Sequence, residues 1–229
     1  MHVIDRPSKY SRDYLTKLFQ YTLGEDIGNA VSHIVGSFFG LSALITLTWV
    51  AARYGNWVDG IAFIVYGLSI LFMFLMSALY HSMVNHTARS VFKKLDHISI
   101  YILIVGSYGP YVFSLLKTER AYIVFAIMAT VMVIGIIFKS LYAGKFKKTS
   151  TLIYVIMGWG SLYLLPQIVA DIPKTGLVFL VSGGLAYTFG ALLYAFGKFK
   201  FSHMVWHLFV ILGVVCMFIS MAFFILQYR

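Results

Sequence analysis

Three histidines and two oxygen-bearing side chains carry most of the chemistry open to this sequence. His203 and His207 are four apart in His203-Met204-Val205-Trp206-His207, and Ser77 and His81 are four apart in Ser77-Ala78-Leu79-Tyr80-His81. On a helix that spacing puts two side chains on one face, about one turn apart. His203 and His207 can then reach one ion, and His81 enters at the same depth from another helix. Three neutral imidazoles and one water make an open tetrahedral zinc site. Zinc lowers the pKa of such a water to roughly 7 and so supplies a nucleophile at neutral pH. Asp96 is placed to hydrogen-bond that water, to take its proton, or to coordinate the metal directly. Ser77 can donate to a ligand or to a substrate carbonyl. The sole cysteine, Cys216, lies in an apolar run, which excludes a disulfide framework and a cysteine zinc ribbon. A histidine-rich set without cysteine favours zinc over iron or copper.

Each residue also has a plainer use. A histidine near a helix start can face interfacial water, Ser77 can bond its own backbone, and Asp96 can cap a helix N-terminus. Convergence favours the metal site, because ionisable groups inside membrane helices are costly and rarely gather at one depth without a function.

A second polar group lies nearer the N-terminus. Glu25, Asn29 and His33 recur every fourth residue and are expected to share a hydrogen-bonded face packed near the metal, with His33 a lesser candidate for an extra ligand. The plain alternative is a helix with acidic residues in its first turn. His97, adjacent to Asp96, points elsewhere on its helix and is expected beside the ligands' partners or at the interface. His2 and His86 are expected to be solvated.

The elements that must position these residues are membrane helices. Of the 229 residues 60% are hydrophobic and 11% charged, against roughly 25% charged in soluble domains, and the mean hydropathy is +0.85. Seven apolar runs span about 30–52, 60–82, 97–116, 121–139, 151–170, 176–197 and 204–226. Each is near the length that crosses the hydrocarbon core as a helix, and lipid offers free backbone groups no partner, so spanning runs must be helical. The alternating pattern of a β-barrel is absent. The reading is an all-α, seven-helix transmembrane domain over residues 30–229, preceded by an N-terminal segment, 1–29. Residues 10–28 of that segment are a candidate interfacial helix with Tyr14, Leu15, Leu18, Phe19 and Tyr21 as apolar surface, and no cleavable signal peptide is expected. Ser90–Leu95 is amphipathic and is expected along the membrane surface. Pro110 and Pro166 should kink or loosen their helices, and Gly183, Gly184 and Gly190 are candidate close-packing positions.

The net charge of +10 is distributed as an orientation signal rather than a nucleic-acid footprint. Arg6, Lys9, Arg12, Lys17, Arg89, Lys93, Lys94, Lys139, Lys145, Lys147, Lys148, Lys198 and Lys200 fall on one side, and Arg53, Lys117, Arg120, Lys174 and Arg229 on the other. The larger set should face the cytoplasm, which puts the N-terminus inside, the C-terminus outside, and the histidines at the cytoplasmic end of a plasma-membrane protein.

The residues also match a family pattern. Glu25-Asp26-Ile27-Gly28-Asn29-Ala30-Val31-Ser32-His33, then Ser77-Ala78-Leu79-Tyr80-His81, Lys94-Leu95-Asp96-His97, the stretch Ile100–Pro110, and His203-Met204-Val205-Trp206-His207 stand in order on the expected helices. The chain resembles the hemolysin III family of the progestin and adipoQ receptor superfamily, over positions 25 to 207. The resemblance implies a seven-helix bundle with the N-terminus inside, zinc on His81, His203 and His207, and Asp96 beside the zinc-bound water. It also implies kinship with membrane hydrolases such as the alkaline ceramidases, which use a similar Ser, Asp and three-His set on lipid amides. The long N-terminal extension of the animal receptors is lacking, so an adipokine-type ligand is not expected, and the size suits a bacterial member.

The leading expectation is therefore a zinc-dependent hydrolase of a lipid amide or ester. The alternative is a non-enzymatic zinc protein in lipid sensing or membrane homeostasis. A pore-forming hemolysin fits poorly, since seven continuous apolar spans are hard to hide in a water-soluble toxin. A proton transporter would need a polar path across the whole bilayer, whereas the ionisable residues cluster at one end.

Overall fold

A computed structural model describes residues 18–142 and 145–227. Among them are seven helices long and apolar enough to cross a membrane: α1 (Leu23–Tyr54), α2 (Trp57–Ser82), α3 (His86–Leu116), α4 (Glu119–Tyr142), α5 (Lys147–Asp171), α6 (Lys174–Phe196) and α7 (Ser202–Phe224). No strand occurs among the described residues. Large apolar side chains such as Phe38, Ile45, Trp49, Ile134 and Phe189 point outward, as a lipid-facing surface requires. The bundle interior is filled by Leu47, Phe63, Tyr66, Ile70, Phe74, Val112, Val214 and Met221.

All seven helices start before their apolar runs, α1 and α3 by the widest margin. α1 begins at Leu23 because Thr22 and Glu25 form a reciprocal capping box, Thr22 Oγ1 accepting from Glu25 N–H and the Glu25 carboxylate accepting from Thr22 N–H. α3 begins at His86, capped by Asn85. Ser90–Leu95 is thus continuous with the third span rather than lying along the surface, and Asp96 sits well inside the helix, where it is no N-cap. Arg89 and Lys93, read above as orientation charges, are buried. The candidate interfacial helix falls partly on residues 10–17, outside the described residues. Of the remainder, Leu18 is buried, Tyr21 stacks on His203, and residues 23–28 belong to α1.

α1 and α2 approach closely along their length: a Cβ on Gly67 would lie 2.8 Å from the Leu44 Cα, and one on Gly40 3.0 Å from the Leu71 Cα. Pro110 loosens α3 as expected. From Pro110 to Leu116 the helix widens to a π-helix, a register that accommodates the missing N–H and the ring's clash with the preceding turn. It ends at Lys117, in the left-handed region at φ 51. Ahead of Pro166 the fifth span tightens to a 3-10 turn over Gly160–Leu164. In α6, Gly183 and Gly190 pack against α7, near Met217 and Phe209. Gly184 does not, for nothing lies within 4 Å of its added Cβ; it lines an internal cavity instead.

Candidate metal centre

The lysine- and arginine-rich end of the bundle gathers the polar residues of four helices. α1 brings Asp26, Asn29, Ser32 and His33, α2 brings Ser77 and His81, α3 brings Arg89 and Asp96, and α7 brings His203 and His207; all are buried. Among the described residues one group is able to hold a metal ion: His81, His203 and His207, each offering a ring nitrogen within 4.8 Å of the others.

Hydrogen bonding fixes which nitrogens are free. His81 Nδ1 lies 2.9 Å from Asp26 Oδ1 and 3.5 Å from Asn29 Nδ2. A carboxylate whose other oxygen pairs with Arg89 only accepts, so Nδ1 carries the hydrogen and Nε2 keeps its lone pair. Similarly, Ser32 donates its hydroxyl hydrogen to the Asn29 carbonyl at 2.8 Å. His207 Nδ1, 3.0 Å from Ser32 Oγ and 3.2 Å from the same carbonyl, must therefore be the donor. Its Nε2 is buried without a hydrogen-bond partner, as are His203 Nδ1, Ser77 Oγ and Tyr80 Oη.

His81 Nε2 and His203 Nε2 face one another at 3.3 Å. Two nitrogens bound tetrahedrally to one ion at about 2.0–2.1 Å stand about 3.3–3.4 Å apart, so this separation fits one edge of such a site. An N–H···N bond would also span it, but would leave His207 Nε2 stranded, whereas a cation serves all three rings. The buried, unpartnered nitrogen and this spacing fit the residues to a metal ion.

The other expected residues fall around this group in different ways. His33 stacks face to face on His207, centroids 3.5 Å apart and planes 15° apart, and meets Phe74 edge-on. It is not one of the metal-holding group. Asp96 is outside that group too; it lines a small recess with Tyr21, Tyr80, His97 and His203. That recess, about 10 Å³, is near the lower limit for holding one water. Ser77 is fully buried one turn before His81. His97 turns away: its Nδ1 donates to the Lys93 carbonyl at 2.5 Å, and Asp96 Oδ2 is 3.9 Å off. Glu25 is occupied by its capping box and by the Phe201 N–H at 3.1 Å, and does not reach the histidines. The residue that does is Asp26. Positions 26, 29 and 33, spaced three then four, follow the helical stripe more closely than 25, 29 and 33, because strict steps of four drift around a helix of 3.6 residues per turn. Tyr21 covers the site from the non-helical segment before α1, its ring stacked on His203 at 4.7 Å. Burial pushes its phenol well above the ordinary value, so it stays neutral.

From Asp96 a second, apolar cavity of about 200 Å³ runs through the bundle to Leu165 and Ile168. Asp96, Tyr194 and Trp206 wall both this cavity and the small recess. Leu162 of α5 and Val181 of α6 also line it and are about half exposed, at 51% and 43%. The cavity thus reaches the lipid-facing surface between these two helices.

Fold and site together define a seven-helix, multi-pass membrane protein with a buried three-histidine group at one end. The model of the family described as Haemolysin-III related matches residues 21–218. The chain is 35% identical over 212 residues to Hemolysin-3 of Bacillus cereus, covering 93% of this chain and 96% of that protein. It is 32% identical over 204 residues to the Hemolysin-3 homolog of Bacillus subtilis (strain 168), covering 89% and 96%. A more distant relative is the Monocyte to macrophage differentiation factor of Homo sapiens, 28% identical over 157 residues and covering 64% of this chain and 63% of its own. The chain belongs to the haemolysin-III related family, and is a multi-pass protein of the plasma membrane.

Proposed function

We propose that this protein is a zinc-dependent membrane hydrolase of a lipid amide or ester. The observation that carries the reading is the 3.3 Å approach of His81 Nε2 and His203 Nε2, beside the unpartnered Nε2 of His207, with the recess at His203 sharing its Asp96 wall with an apolar cavity open toward lipid. His81, His203 and His207 would hold zinc, which an all-imidazole set suits. Bound there, zinc supplies Lewis-acid polarisation of a carbonyl and acidifies a water.

The chain's own groups do the rest. The cavity takes the acyl chain, its apolar wall replacing lipid at little cost. Asp96, where cavity and polar recess meet, takes a proton from the attacking water and returns it to the leaving nitrogen or oxygen. Ser77 Oγ, which has no partner of its own, is available to hydrogen-bond the oxygen on which charge develops. With most lysines and arginines facing the cytoplasm, hydrolysis takes place at the cytoplasmic end of the bundle.

A second reading draws on one feature. α2 and α7 pack only sparsely against each other, yet His81 meets His203 and His207 between them, so a metal clamping these helices would stabilise a non-enzymatic lipid sensor. Metal analysis of purified protein, with turnover on a panel of lipid amides and esters, tests both. About one zinc per chain with metal-dependent cleavage supports the hydrolase. Zinc without cleavage of any of them supports the clamp, and metal that survives individual replacement of His81, His203 and His207 overturns both.

A further inference from the structure

The geometry points to Asp26 as the residue that positions His81 for the metal, held in place by Arg89. The inference rests on the metal-binding reading above and adds a named outer partner to it. Asp26 uses its two oxygens separately. Oδ1 accepts from His81 Nδ1 at 2.9 Å, and Oδ2 accepts from Arg89 Nη2 at 2.7 Å. The first contact fixes the tautomer and swing of the ring, presenting the Nε2 lone pair to the ion, as carboxylate–histidine pairs do at metal sites.

The second contact explains why a carboxylate can sit there. Asp26 is 8% exposed and Arg89 2%; a carboxylate so buried needs a charged partner. Arg89 spends its other donors on backbone: Nε on the Leu18 carbonyl and Nη1 on the Met83 carbonyl, each at 3.1 Å. Its guanidinium also lies over the rings of Phe19 and Tyr80 at 4.5 and 5.0 Å. One cation therefore ties together the segment ahead of α1, the end of α2 and the carboxylate of α1. Asp26 is consequently fixed from three elements, and His81 inherits that rigidity.

The test is Co²⁺ and Zn²⁺ affinity by chelator competition, with the Co²⁺ d–d spectrum, for wild type, Asp26→Asn and Asp26→Glu. Metal-free melting of each protein controls for folding. Asp26→Asn is expected to lose about 10–100-fold in affinity and to alter the Co²⁺ spectrum of the folded protein, and to melt lower than wild type without metal because buried Arg89 loses its counter-charge. Asp26→Glu, which restores the carboxylate, is expected to recover most of the affinity. Unchanged affinity in Asp26→Asn, or equal losses in the Asn and Glu variants, overturns the inference. Should the Asn variant fail to fold, nitrogen NMR of metal-loaded wild type decides. Ligation of His81 through Nε2 with a protonated Nδ1 supports the inference, and ligation through Nδ1 overturns it. Wild type that takes up no metal overturns the proposed function as well, whereas metal uptake by wild type with an indifferent Asp26→Asn overturns this inference alone.

Discussion

The ring of His33 lies flat against that of His207, 3.5 Å between centroids and 15° between planes. Both nitrogens of His33 are buried without a hydrogen-bond partner, so its present use is that of a flat spacer wedged between His207 and Phe74. A stacked ring fixes the plane of its neighbour without contributing a ligand.

His33→Phe, which keeps the flat ring and removes both nitrogens, is accordingly expected to retain about one metal ion per chain. His207→Ala removes a donor and is expected to lower affinity beyond the roughly 10–100-fold typical of an outer partner. Elemental analysis of the two purified variants after dialysis checks this. Metal loss in His33→Phe equal to that in His207→Ala would make His33 a fourth ligand.

The seven spans were legible because hydropathy and backbone satisfaction in lipid leave a long apolar run no other fate. What lay hidden were the polar ends of those spans. α1 and α3 extend beyond their apolar runs on local caps at Thr22 and Asn85, and these extensions bring Asp26 and Arg89 together in a buried pair, a long-range contact that no local pattern announces. From the sequence, Arg89 therefore reads only as an orientation charge. Asp26 is legible in principle, through the three-then-four spacing of 26, 29 and 33, but the neighbouring period of four singles out Glu25, whose use as a capping-box partner of Thr22 is local. Gly184 shows the same limit: small residues in a row signal close packing, and only the arrangement of the neighbouring helices decides which of them faces a void.

Asp96 lies where the small polar recess meets the apolar cavity. Asp96→Asn keeps the shape and removes the base. Metal content is expected to stay near wild type, since Asp96 is not among the three metal-holding residues, while turnover on a cleaved lipid amide falls about 10²–10⁴-fold, the usual contribution of a general base. Metal analysis and single-turnover kinetics on one preparation separate the two quantities. Full turnover in Asp96→Asn would remove Asp96 from the chemistry.

Close approach of α1 and α2 sets a contrast between two glycines. In Gly67→Ala the new methyl would lie 2.8 Å from the Leu44 Cα, a backbone atom that cannot turn aside. The overpacking, about 1–3 kcal/mol, outweighs the roughly 0.5–1 kcal/mol gained from a less flexible chain. In Gly184→Ala the methyl meets nothing within 4 Å, leaving only the gain. Melting in detergent should fall for Gly67→Ala and hold or rise for Gly184→Ala; equal shifts would mean that the helices separate without cost.

Gly184 also offers a way to test what the large cavity is for. It lines the cavity on α6, in the helix whose Val181 reaches the lipid-facing surface, so a bulky side chain there fills space that an acyl chain would take. Gly184→Phe is expected to leave metal content and metal affinity unchanged, because Gly184 sits about three turns along α6 from Tyr194, whose ring meets His203. Cleavage should shift toward short-chain lipid amides, with KM for long chains rising about tenfold or more, since each buried methylene is worth about 0.8 kcal/mol and several would be displaced. Comparing kcat/KM across acyl lengths for wild type and variant reads the effect directly. A uniform loss at all lengths would place the chain elsewhere, and an unchanged profile would mean that substrate reaches the histidines from the polar side of the bundle alone.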